Sequence, residues 1–239
     1  MSRGRKTGGR PPARRGGAPA RLKKSRKRKA SSTRWLQRQL SDPYVAEARR
    51  RGYRSRAAFK LIEIDDRFGL LMSAHRAVDL GAAPGGWSQV LRERMGKGAQ
   101  IVAVDLLEMP PIAGVTILQG DFLEEETEEA VRAALGGARA DIVVSDMAAP
   151  TTGHRPTDHL RTLALAEAAF AFARTVLAEG GAFITKIYQG GAEGDLLAAI
   201  KRAFGKVRHW KPPASRPESV ETYLIARNFR ALPDNTDDR

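Results

Sequence analysis

The 239-residue chain contains no cysteine. That excludes a disulfide framework, a thiolate metal site and a cysteine nucleophile. No apolar run approaches the roughly 20 residues needed to span a bilayer, so no membrane partner is expected. Histidine is scarce, at four, and no clustered His/Cys set points to a metal. Acidic residues are missing from residues 1–38, which hold 15 of the 41 Lys/Arg and none of the 27 Asp/Glu. The remainder carries 26 basic against 27 acidic residues, so the net charge of +14 is a property of the tail. A polycation of this density attracts polyphosphate by counterion release, which makes nucleic acid the favoured partner over an anionic surface. No apolar stretch follows Arg14-Arg15, so no secretory or twin-arginine signal is read. An Arg-rich mitochondrial presequence is opposed by the Gly and Pro of residues 8–19, and a cytoplasmic location is expected.

Hydrophobic residues make up 42% of the chain, enough for one well-cored domain. Residues 1–33 read as a disordered basic tail, 34–230 as the folded domain with a basic lead-in, and 231–239 as a flexible end. Within the lead-in, Trp35, Tyr44 and Tyr53 are interleaved with arginines, a pattern that suits either base stacking or packing on the body. A helix follows, with Ser55 as its expected cap and Ala58, Phe59 and Ile62 on one face. Strands are expected at His75–Leu80, Ile101–Val104, Val115–Leu118, Asp141–Ser145, Gly181–Ile187, Val207–Trp210 and Thr222–Ala226. Helical segments lie between most of them, at Trp87–Arg94, Glu124–Leu135, Asp158–Leu177 and Asp195–Phe204. This alternation implies an α/β fold: an open, mostly parallel seven-stranded sheet with helices on both faces.

In such sheets ligands sit beyond the carboxyl ends of the strands. The chemistry-bearing residues of the middle of this chain fall at those ends. Asp79-Leu80-Gly81-Ala82-Ala83-Pro84-Gly85-Gly86-Trp87 follows the first strand. Its spacing matches neither G-x-G-x-x-G nor a G-x-x-x-x-G-K-[ST] phosphate loop, which suggests a nucleoside ligand without a pyrophosphate. Asp105 ends the second strand, where an acid can accept from both ribose hydroxyls. Asp121, after the third strand, is placed either to accept from an adenine amino group or to cap the Glu-rich helix. Asp146 follows the fourth strand. Lys186 lies in the apolar fifth, where an unpaired ammonium is costly. Such a lysine is either structurally paired or held between a carboxylate and other cations as a general base. His154 and His159, after the Asp146 loop, read as ordinary loop and helix residues.

These segments (the glycine loop, Val104-Asp105-Leu106-Leu107, Gln119-Gly120-Asp121-Phe122, Ser145-Asp146-Met147-Ala148 and the Lys186 strand) closely resemble the FtsJ/RlmE ribosomal RNA methyltransferases, from about Ser55 to Ala226. The resemblance implies a Rossmann-like S-adenosylmethionine-dependent methyltransferase fold and transfer to a ribose 2′-hydroxyl. The implied target is a uridine in the A loop of 23S rRNA within the large ribosomal subunit, and the implied form a monomer. It further implies a Lys-Asp-Lys-Glu tetrad at Lys60, Asp146, Lys186 and Glu221, with Glu218 as a competitor for the last place. Cofactor contacts are implied at Gly85, Trp87, Asp105, Asp121 and Asp146. The alternatives are a tRNA or mRNA-cap 2′-O-methyltransferase and a non-catalytic RNA-binding protein of ribosome assembly. The basic extension before residue 34 is a departure from the compact members of the family.

Overall fold

The computed structural model describes residues 41–189 and 194–230. The basic tail, Trp35 and the stretch 231–239 lie outside the described residues. Helices α1 (Pro43–Arg51) and α2 (Ala58–Phe68) precede strand β1 (Arg76–Leu80). Then follow α3 (Gly86–Arg94), β2 (Gln100–Asp105), β3 (Thr116–Gln119), α4 (Glu125–Ala134) and β4 (Ala140–Ser145). The chain closes with α5 (Arg155–Val176), β5 (Leu177–Tyr188), α6 (Gly194–Ala203), β6 (Phe204–Trp210) and β7 (Glu221–Phe229). The strands form one seven-stranded sheet in the order β3-β2-β1-β4-β5-β7-β6. Pairings from β3 through β5 are parallel, and β7 runs antiparallel to both β5 and β6. The expected α/β class and mostly parallel sheet are therefore observed. Among the described residues no helix is long and apolar enough to cross a membrane.

Strand alternation divides the core in two. Val78, Val102, Val143, Phe183 and Leu224 face α4, α5 and α6. Ala77, Ile101, Ile142, Ile184, Tyr223 and Ile225 face α2 and α3. Period-2 geometry puts Lys186 on the same face as Ile184, the face that α2 covers. Buried on both sides, the central strands read as continuous apolar runs, so a charge there is conspicuous.

Two local expectations are corrected. Ser55 does not cap α2: the N-cap is Ala57, without a side-chain bond, and Ser55 sits one turn earlier, its carbonyl accepting from Ala58. A Cβ built on Gly86 would collide with Ser55 Oγ, so that hydroxyl instead packs against the start of α3. Asp121 does not cap α4 either, since Glu124 holds that position; Asp121 closes a local turn, accepting from Leu123 N at 3.0 Å. The two described aromatics of the lead-in pack on the body. Tyr44 and Tyr53 both contact Phe59, and their hydroxyls donate to Glu63 and Glu93.

Candidate active site

At the carboxyl ends of β4 and β5 the sequence brings two cations and two carboxylates onto one side of the sheet. Asp146 directly follows β4, Lys186 lies near the end of β5, and Glu221 opens β7. The β5–β7 ladder places Lys186 opposite Tyr223 and Tyr188 opposite Glu221. Lys60 projects from α2, which packs on this face. Lys186 Nζ lies 2.7 Å from Asp146 Oδ1 and 2.7 Å from the Asp146 carbonyl. Lys60 Nζ lies 3.1 Å from the Glu221 carboxylate and 3.5 Å from Asp146 Oδ1. The four residues therefore form one chain of contacts, Glu221–Lys60–Asp146–Lys186. Both lysine side chains are 7% exposed, so each needs its carboxylate to offset lost hydration. Glu218, the competitor, is exposed and lines the adjoining cleft, and it is Glu221 that pairs with Lys60.

Tyr223 belongs to the same cluster. Its hydroxyl donates to Asp146 Oδ1 at 2.5 Å, its ring lies under Lys60 Nζ at 5.6 Å, and it packs on Trp87 at 5.7 Å. Burial, with the Asp146 and Glu221 charges, pushes the phenol well above its ordinary range, so it is a donor and not a base. For Asp146 burial pushes upward, but the Lys186 and Lys60 ammoniums and the Tyr223 hydroxyl outweigh it and hold the carboxyl below its ordinary value. Asp146 is thus a fixed anion between two cations. Tyr223 was missed from sequence. The available signal was its place two residues beyond Glu221, which on a strand means the same face.

The glycine loop lies beside this cluster. Gly81 (φ +69°) and Gly85 (φ +105°) adopt left-handed backbone, and a Cβ on either would collide, with Met147 in the first case and with Ile112 and Met109 in the second. Only bare backbone fits that cradle. Asp105 is fixed by Ala83 N to Oδ2 and Leu107 N to Oδ1, both at 2.8 Å, which leaves further lone pairs for a ligand. Trp87 is buried, and its indole N–H donates to Ala57 O at 2.8 Å. What Trp87 can offer a ligand is its main-chain N–H in the first turn of α3, which has no intrahelical partner. Asp79, fully buried and bonded to Ser88 Oγ at 2.6 Å, is pushed up to about 7, first by burial and then by the nearby Asp146 and Asp105. Three carboxyls from adjacent strand ends thus crowd together, an arrangement that favours a cationic ligand. Arg54, read from sequence only as one of a basic run, fastens the cradle. It donates to the carbonyls of Pro84 (3.3 Å), Pro110 (2.7 Å) and Pro111 (2.8 Å).

A strand-end acid series, a bare-backbone glycine loop and a buried two-lysine, two-carboxylate network on this sheet order define a class, and comparison with known proteins agrees. The model of the FtsJ-like methyltransferase family matches residues 53–229, and the chain belongs to that family. More particularly, it is 60% identical over 210 residues to the Ribosomal RNA large subunit methyltransferase E of Zymomonas mobilis, covering 88% of this chain and 94% of that protein. It is 58% identical to the protein of the same name from Acidiphilium cryptum, over 89% and 93% of the two chains. A crystal structure described as a ribosomal RNA methyltransferase of Plasmodium falciparum superposes with a TM-score of 0.66 at 32% identity, covering 74% of this chain and 98% of that one.

Proposed function

We propose that this methyltransferase takes its methyl group from S-adenosylmethionine and transfers it to a ribose 2′-hydroxyl of large-subunit ribosomal RNA. The target would be a uridine of the 23S A loop. The observation that carries this reading is the buried Glu221–Lys60–Asp146–Lys186 chain beside the glycine cradle. A ribose hydroxyl is a weak acid and needs a base, and Lys186 is the strand-end group that can serve as one. Relatives named as large-subunit rRNA methyltransferases support the RNA.

The cradle fits the cofactor on its own chemistry. The sulfonium and the α-ammonium are cationic, and the strand-end carboxylates favour positive charge. Asp105 would accept from the ribose hydroxyls and Asp121 from the adenine amino group, with the Gly85 and Trp87 backbone and Asp146 completing the set. When bound, S-adenosylmethionine supplies a methyl group already activated by its sulfonium. The protein's share is to orient, deprotonate and exclude water. To act as the base, Lys186 Nζ first gives up its ammonium proton to solvent and then accepts the proton of the 2′-hydroxyl. Asp146 Oδ1 fixes the direction of Nζ. Lys60, held by Glu221, adds positive charge that steadies the developing charge on the 2′-oxygen.

Tritium transfer to total RNA and to isolated ribosomal subunits tests the reading. Lys186→Arg keeps a cation but removes a usable base, because a guanidinium stays protonated. It is expected to abolish transfer while cofactor binding by calorimetry persists. Near-normal turnover by Lys186→Arg would remove Lys186 from the base role.

A further inference from the structure

An open cleft of about 670 Å³ lies against the tetrad and has no part in the chemistry above. Three of its walls continue the segments that carry the tetrad. Tyr188 is two residues beyond Lys186, hence on the same face of β5, and stands directly opposite Glu221 in the β5–β7 ladder. Ser219 and Val220 immediately precede Glu221, and Thr151 follows the Asp146 loop. The fourth wall is the first turns of α5. The cleft therefore borders the strand ends and the loop that carry the tetrad, with Tyr188 as the ladder partner of Glu221.

Its lining mixes apolar side chains with polar and charged ones, Asp158, His159 and Glu218 among them. Leu160 and Val220 are 59% and 48% exposed, large apolar side chains left open to solvent, and Pro156 and the half-buried Tyr188 ring continue the surface. Arg155 and Gln189 also line the cleft. The walls are held in place. Asp158 accepts from Thr152 N and Oγ1 at 2.7 Å and from Gly153 N at 3.1 Å. Lys211 Nζ ties down the opposite loop through the carbonyls of Pro217 (3.1 Å) and Ser219 (2.6 Å). Aromatic and aliphatic surface set beside hydrogen-bonding groups is the environment in which an unstacked base is held. Its volume is within the range of small-molecule sites.

We infer that this cleft holds the base of the nucleotide being methylated, turned out of its stack, with Tyr188, Leu160 and Val220 as its contact surface. The inference rests on the ribose-methylation reading above, since a 2′-hydroxyl presented to Lys186 brings its own base to the neighbouring wall. On this assignment Tyr188 is a specificity-determining residue, and phosphate attraction lies elsewhere on the protein.

The test uses full-length protein and large ribosomal subunits from cells lacking the enzyme. Leu160→Trp and Val220→Trp fill the cleft from exposed positions, where folding tolerates them. Each is expected to lower kcat/KM for methyl transfer at least tenfold while leaving cofactor affinity unchanged and subunit affinity within about threefold. Tyr188→Ala is expected to lose about tenfold through lost stacking, and Tyr188→Phe to restore it. Wild-type kcat/KM in both tryptophan variants overturns the inference. So does a loss carried by Arg155→Ala in place of Tyr188→Ala, which would mean that the cleft takes a phosphate. If the wild type itself makes no 2′-O-methyl group on these subunits, the ribose-methylation reading has failed, independently of how the variants compare.

Discussion

Removing the Asp146 carboxylate is the perturbation whose consequence the structure specifies most fully. In Asp146→Ala, Lys60 keeps Glu221 at 3.1 Å, but Lys186 keeps only the main-chain carbonyl of position 146 at 2.7 Å. Its side chain is 7% exposed, so an ammonium is left buried without a counter-charge. Breaking a buried pair from one side costs about 3–5 kcal/mol. The converse change, Lys186→Met, leaves Asp146 with Lys60 at 3.5 Å and the Tyr223 hydroxyl, so about 1–2 kcal/mol is expected. The double variant strands no charge at position 186 and should be more stable than Asp146→Ala alone, with a coupling of about 1–3 kcal/mol. Urea unfolding followed by tryptophan fluorescence measures all three, compared at constant m. The pH dependence gives an independent check. The Asp146 carboxyl is held below its ordinary value of 3.8. Its stabilisation is therefore complete above that value and lost as pH falls through the lower folded one. The gap between wild type and Asp146→Ala should persist down to about pH 4 and shrink below it. Equal losses from Asp146→Ala and Lys186→Met, with an additive double variant, would show that the network carries no buried-charge balance.

Asp79 behaves in the opposite sense. Its carboxyl is pushed from 3.8 up to about 7, so its contribution is complete below about pH 4 and falls away as pH rises through 7. At about 1.36 kcal/mol per pH unit that interval corresponds to about 4 kcal/mol, and Asp79→Asn should flatten the pH–stability curve across it. Arg54→Ala releases the Pro84, Pro110 and Pro111 carbonyls from one guanidinium. It should weaken S-adenosylmethionine binding by about tenfold in calorimetry with little change in urea midpoint, whereas unchanged affinity would reduce Arg54 to a surface tie. Deleting residues 1–33, which contain 13 Lys/Arg, should flatten the salt dependence of RNA binding by about 0.7–0.9 in slope for each phosphate that the tail neutralises. An unchanged slope would assign the tail another task.

Most of the sheet was legible because its signals are local. Apolar runs of four to six residues ending in Gly or Asp marked β1, β2 and β4, and the same strand ends carried Asp79, Asp105 and Asp146. Helix α5 begins three residues earlier than its apolar pattern suggests, because Pro156 suits a helix's first turn, where no N–H is required. The rest depends on tertiary packing between segments distant in sequence. Lys60 and Glu221, 161 positions apart, were named through the family resemblance and not by any local pattern, and the packing of α2 on the β5–β7 ladder is what joins them. Burial of Asp79 and the Arg54 clamp are also tertiary facts with no local pattern behind them. The separation of a neutral body from a basic tail, by contrast, was plain from charge counting alone.

Ribose methylation has one direct chemical signature. A 2′-O-methyl group removes the nucleophile of alkaline cleavage, so the phosphodiester on its 3′ side survives base. Large-subunit rRNA from cells lacking the enzyme should be incubated with S-adenosylmethionine and either wild type or Lys186→Arg, then mapped by alkaline hydrolysis. The expected result is a single newly protected bond, at a uridine of the A loop, with wild type only. Methyl incorporation that leaves every bond cleavable, or equal protection by Lys186→Arg, would contradict transfer to a ribose hydroxyl with Lys186 as the base.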